Sequence, residues 1–163
     1  MASGNTLVIF TTLDNQPPIN GFATRDTRNA HAVLDYDATT AEDAIFGSVL
    51  PRHYSGLGIT ATVMWMASTA TAGVTRWEGS FERHQDDVDD LDVNSFATAQ
   101  GVSATTATVS GEVAYDAIAF TNAQIDGLLL GESFRLRLTR NPLHADDNMA
   151  GDAELLRIEL RET

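Results

Sequence analysis

The chain is 163 residues long, the length of one domain and enough to bury a core without covalent staples. It has no cysteine, which excludes disulfides and thiolate metal centres. The net charge is −13 and all ten basic residues are arginine; a surface this acidic repels nucleic-acid phosphates and anionic lipid headgroups, so neither nucleic acid nor membrane is an expected partner.

Residues 6–13 read as a first strand, β-branched and aromatic. Asn15-Gln16-Pro17-Pro18 stops it, because proline cannot donate to a ladder. Residues 1–18 are thus expected to form an N-terminal strand or arm. Residues 23–27 read as a short edge piece, 31–37 as a second strand and 44–50 as a third, ended by Pro51. Residues 58–67 make the strongest central strand, with Ile59, Ala61, Val63 and Trp65 on one face. Residues 74–83 follow a Ser/Thr/Ala/Gly turn with Trp77 and Phe81 on one face, and these two strands are expected to pair as a hairpin.

An acidic loop, residues 85–94, comes next, and residues 95–110 hold a further strand and a wide turn. Residues 111–120 are another strand whose loose alternation a bulge would explain. Thr121, with Gln124 three residues on, has the pattern of an N-cap, which makes 122–130 the one helical segment expected, ended by Gly131. The last third is the clearest. Phe134, Leu136 and Leu138 alternate with Arg135, Arg137 and Thr139, and Leu156, Ile158 and Leu160 alternate with Arg157, Glu159 and Arg161. A period of two over so many residues means one buried and one wet face. The expected fold class is all-β: a single antiparallel β-sandwich of jelly-roll type over residues 1–163, with roughly eight to ten strands and at most one short helix. No segment is long and apolar enough to span a bilayer, and Met1 to Asn5 lacks the regions of a signal peptide.

Candidate chemistry is sparse, and no catalytic, cofactor-binding or metal-ligating residue is assigned. The loop over Asp86 to Asp92 offers hard oxygens suited to calcium, and Asp90, Asp92 and Asn94 match the first three ligand positions of an EF-hand. Ser95, however, stands where the sharp-turn glycine belongs, and Gly101 where the bidentate glutamate belongs. Solvated charge is therefore the favoured reading of this loop, with calcium the competing one. For Asp146-Asp147-Asn148, turn chemistry alone is a sufficient explanation. His31, His53, His84 and His144 carry no zinc-type spacing. There is no Gly-x-Ser-x-Gly elbow. Gly56-Leu57-Gly58 lacks the third glycine of a dinucleotide loop and reads as a turn. Trp65, Trp77, Tyr36, Tyr54 and Tyr115 are the residues from which a sugar-stacking platform would be built; the tryptophans are expected in the core, and Tyr54 is the one aromatic expected near the surface.

Several of these segments taken together resemble small jelly-roll virion proteins of tailed bacteriophages. The resemblance rests on Arg28-Asn29-x-His31-x-Val33-Leu34-Asp35-Tyr36-Asp37, Phe46-x-x-Val49-Leu50-Pro51-Arg52-x-Tyr54, Gly131-Glu132-x-Phe134-Arg135-Leu136 and Gly151-Asp152-Ala153-Glu154-Leu155. It implies a single jelly roll that assembles, often as a homotrimer, on a phage particle, and it agrees with the acidic, non-enzymatic, cofactor-free character read from the residues. One placement is a head decoration (cement) protein on the outer capsid surface, bound to the major capsid protein and made in the host cytoplasm. The alternative is a tail- or head-fibre module that binds host-surface glycan. The resemblance carries over no residue-level binding site, and the N-terminal strand is the expected arm onto the capsid or a neighbour.

Overall fold

Ten strands run through the described residues, 4–163, of the computed structural model. They are β1 (Thr6–Thr11), β2 (Thr24–Arg28), β3 (His31–Tyr36), β4 (Glu42–Val49), β5 (Gly58–Ala67), β6 (Val74–His84), β7 (Gln100–Thr105), β8 (Ala114–Thr121), β9 (Ser133–Arg140) and β10 (Ala153–Glu162). One antiparallel sheet has the order β2-β3-β10-β5-β8, with β1 also on β10; the other has the order β4-β9-β6-β7. Without β1 and β2 this leaves two four-stranded sheets face to face, the jelly-roll arrangement. The class is all-β, an antiparallel sandwich.

Strands β5 and β6 lie in different sheets, which corrects the expected hairpin. Six residues separate them, and Gly73 at φ +111° turns the chain across the sandwich. Their two apolar faces then oppose each other instead of lying side by side. Trp65 meets Trp77 edge-on at 5.8 Å, and Tyr36 stands against Trp77 at 4.9 Å. Phe81 meets Phe120 at 4.9 Å in the same middle layer. Such tilted and edge-on pairs add about 0.5–1.5 kcal/mol each beyond burial. The tight hairpin is instead β2–β3, where Asn29 and Ala30 both take positive φ (46° and 64°) as a type I′ turn demands.

The expected arm is a strand of the six-stranded sheet. Residues 6–11 pair with Thr6–Arg161 to Thr11–Arg157 register on β10, and Leu7 and Phe10 are buried. Residues 1–3 lie outside the described residues. Strand β10 holds β3 through Ala153 to Leu155 and β1 from Arg157 on, along the same edge. A register shift between Leu155 and Arg157 marks this handover. The extra residue puts Leu155 in the core and turns Leu156 off the face it was expected to share with Ile158 and Leu160.

Two other expectations are corrected. β8 pairs with β5 in unbroken register from Gly58–Thr121 to Trp65–Ala114, so no bulge explains its pattern. The alternation was masked because a carboxylate, Asp116, sits at an inward position. The helical segment is a single 3-10 turn, Asn122–Ile125, capped by the Gln124 carbonyl accepting from Thr121 N–H at 2.8 Å. It ends on Asp126 in the left-handed region, well before Gly131. A second 3-10 turn, Thr12–Asp14, follows β1.

Candidate binding surfaces

The aspartates of the 85–94 loop fold their own turns. Asp89 accepts from Gln85 N–H at 2.6 Å and Asp90 from Asp92 N–H at 3.0 Å, while the Asn94 amide donates to the Arg83 carbonyl at 2.8 Å. Among the described residues no three His, Asp or Glu side chains converge as metal ligands. Asp86, Asp87, Asp90 and Asp92 point to solvent, and so do Val88, Leu91 and Val93.

The second acidic cluster does more than turn the chain, which corrects the reading from turn chemistry. Asp147 and the fully buried Arg140 form a two-pronged ion pair, Nε–Oδ2 at 3.2 Å and Nη2–Oδ1 at 3.1 Å. The same guanidinium donates to the carbonyls of Tyr36, Gly151 and Met149. Asp147 also accepts from Arg76 N–H at 2.9 Å, and Asn148 from Val74 N–H at 2.8 Å. Asp146 accepts from the Ser103 hydroxyl at 2.7 Å. The β9–β10 loop is thereby bolted to β6 and β7. The signal was present in the sequence: Arg140 continues the inward series Phe134, Leu136, Leu138.

Inward parity also finds Asp116 and Glu162. Asp116 accepts from the buried Trp65 indole N–H at 2.8 Å. Glu162 accepts from Ser55 N–H, and its carboxyl is held below the usual range chiefly by that backbone hydrogen bond. Trp65, Trp77 and Tyr36 are core residues, as expected. The two remaining tyrosines exchange places. Tyr54 is buried at 4% exposure beside Leu50, because the Pro51–Tyr54 turn folds it under the sandwich end. Tyr115 is 66% exposed on an outward position of β8.

The outer face of the four-stranded sheet is charged and partly covered. Glu82 on β6 is fully buried there, holding Arg135 of β9 at 2.6 Å through Nε. Arg135 and Arg137 stack over the Phe96 ring at 5.2 and 4.6 Å. Beside them lies an open groove of about 730 Å³ between Gln16, Ser48, His84, Leu91, Ser133 and Arg135. His84 Nδ1 lies 3.0 Å from the Ser133 hydroxyl, and its Nε2 is 4.0 Å from Glu82. His31 and His53 are exposed, and His144 accepts from Asp146 N–H.

The outer face of the six-stranded sheet is open, and it is flat across β8, β5 and β10. Its rows follow from the register: Tyr115–Met64–Arg157, Ala117–Thr62–Glu159–Ile9 and Ala119–Thr60–Arg161. Short alanine and threonine side chains keep these rows shallow, while a cleft of about 370 Å³ opens towards β2 between Arg28, His31, Met66, Val113 and Leu156. Ile9 (57% exposed) and Tyr115 stand at its two sides. Arg157 and Arg161 are exposed and make no ion pair or side-chain hydrogen bond among the described residues, whereas Arg28, Arg76, Arg83, Arg135 and Arg140 are all paired.

The whole-chain fold has counterparts among solved structures. The xylan-binding domain of Paenibacillus barcinonensis Xyn10C aligns over 99% of this chain and 96% of its own, with a TM-score of 0.52 at 10% identity. A carbohydrate-binding module of Cellvibrio mixtus lichenase 5A in complex with cellotriose aligns over 98% and 99%, with a TM-score of 0.48 at 10% identity. A chain of infectious bursal disease virus aligns over 96% of this chain but 32% of its own, with a TM-score of 0.36. The first of these likenesses supports the β-sandwich fold. No protein-family model matches the sequence, and no curated protein matches it.

Proposed function

We propose that the protein is a non-catalytic structural protein of a tailed-phage virion: a head decoration (cement) protein that binds the major capsid protein on the outer capsid surface as a homotrimer. The observation that carries this reading is the flat, open outer face of the six-stranded sheet. The rows of Ala117, Ala119 and Thr62 suit contact with another broad protein surface and are too shallow to enclose a small substrate. The buried charged groups, Arg140–Asp147 and Glu82–Arg135, serve the sandwich itself. The resemblance of the sequence to small jelly-roll virion proteins supports the same reading. Stabilisation of a shell would follow from mass action, since a protein bound at many repeated sites favours the assembled state over the separated one. The net charge of −13 keeps so crowded a layer soluble through mutual repulsion.

Immunogold labelling of intact particles with an antibody to this chain tests the proposal. Even label over the heads supports it; label confined to the tail tip overturns it. In the second case the competing reading takes over, a fibre module that binds host-surface glycan. The groove beside His84 favours that reading, because its amide, hydroxyl, imidazole and guanidinium groups match the donor and acceptor pattern of sugar hydroxyls. The xylan-binding domain shares the fold, and one strong hit on a glycan array, lost in a Ser133→Trp variant, would establish it.

A further inference from the structure

Two surfaces of this chain complement each other but lie on opposite sides of the sandwich. The loop between β6 and β7 leaves the four-stranded sheet and displays Asp86, Asp87, Asp90 and Asp92 to solvent. Among them stand three exposed aliphatic side chains, Val88 at 65%, Leu91 at 63% and Val93 at 79%. Loop aspartates alone would be ordinary solvated charge; three bare aliphatics in the same ten residues are not.

The six-stranded sheet presents the counterpart. Arg157 and Arg161 are exposed without an ion pair among the described residues, on a chain where acidic groups outnumber basic ones 23 to 10. The carboxylate between them, Glu159, is engaged by the Thr6 hydroxyl at 2.5 Å. The exposed apolar groups Ile9, Tyr115, Ala117 and Ala119 share that face. The loop and the face thus match in both charge and apolar content, and they belong to different sheets, so one copy cannot bring them together.

We propose that the outer face of the six-stranded sheet docks the 86–93 loop of a second copy of this chain. The contact joins two different patches, so it is head-to-tail, and a head-to-tail contact closes into a ring when its rotation allows. Arg157 and Arg161 take the aspartates, while Val88 and Leu91 cover the alanine and Tyr115 surface. This deepens the trimer in the proposed function by naming its two surfaces.

Light scattering and sedimentation on the full chain test it. The wild-type chain at micromolar concentration and low salt is expected to be a closed oligomer, and to dissociate as ionic strength rises and screens the pairs. The R157E/R161E variant is expected to associate at least about tenfold more weakly, and so is D87R/D90R. The chain carrying all four changes restores the contact in reverse and is expected to re-form the oligomer. All four positions exchanged are exposed, and a thermal melt within a few degrees of wild type shows each variant folded. A wild-type chain that stays monomeric at every salt concentration overturns the proposal, as does failure of the fourfold variant to reassociate. A monomer that still labels phage heads overturns the ring and leaves the decoration reading standing; a ring that never labels particles does the opposite.

Discussion

Arg140 spends its whole guanidinium inside the protein: two bonds to Asp147 and three to the carbonyls of Tyr36, Gly151 and Met149. The pair joins the end of β9 to the loop that leads into β10 and so fixes where the last strand enters its sheet. A buried pair of this kind contributes little against an apolar replacement, but removing one partner strands the other charge. Arg140→Ala is expected to cost about 3–5 kcal/mol in a denaturant titration. Arg140→Lys should recover only part of that, because an ammonium cannot reproduce the planar fork. An unchanged midpoint in Arg140→Ala would mean that the loop is held by its other contacts, Asn148 to Val74 and Asp146 to Ser103.

The indole of Trp65 and the carboxylate of Asp116 make the corresponding test on the other sheet. Asp116→Ala leaves a buried N–H without an acceptor and is expected to cost about 1–3 kcal/mol. Asp116→Asn keeps an oxygen in place and should cost less than half as much. Tryptophan fluorescence gives a second readout, because loss of the hydrogen bond alters the emission of the buried indole at Trp65. Equal stability of the two variants would show that the carboxylate is there for another reason.

Asp35 sets a pH dependence. Burial, first, and then the negative charges of Asp152, Glu154, Asp26 and Glu42 push its carboxyl from 3.8 to about 6. One of its oxygens is buried without a hydrogen-bond partner. For an acid whose folded-state value is raised, the charged form is disfavoured in the folded protein. Its contribution to stability is therefore fully present below about pH 4 and is lost as pH rises through about 6. Asp35→Asn is expected to raise stability at pH 7 by about 1 kcal/mol, after allowance for solvent screening at a half-buried site. At pH 4 the two proteins should unfold alike. A stability gain that is the same at both values would locate the effect in packing rather than in charge.

Most of the strand pattern was legible in the sequence. β3, β4, β5, β6 and β9 begin and end within two or three residues of the segments read from alternation and from Pro51, and the edge piece became β2. The inward residues Ile59, Ala61, Val63 and Trp65 are all buried. Within strands, the inward face was misread where a polar residue turns inward, as at Asp116 in β8, or where an extra residue enters, as at Leu156 in β10.

The features readable from the chain alone are therefore local: which segments are extended, which of their faces is apolar, and that the class is an all-β sandwich. A period of two is a property of each strand alone, so the strand carries it whatever its neighbours are. Which strands pair, that β5 and β6 oppose each other across the core, that Tyr54 goes in while Tyr115 stays out, and that Arg140 and Asp147 meet all come from the assembled sandwich. Partners for a strand edge, for a buried cation or for an indole N–H are chosen from residues far along the chain, and every strand edge offers the same backbone groups to any other. The choice falls to the packing of the whole sandwich, where two aromatic faces must close over one another and each buried charge must find its opposite.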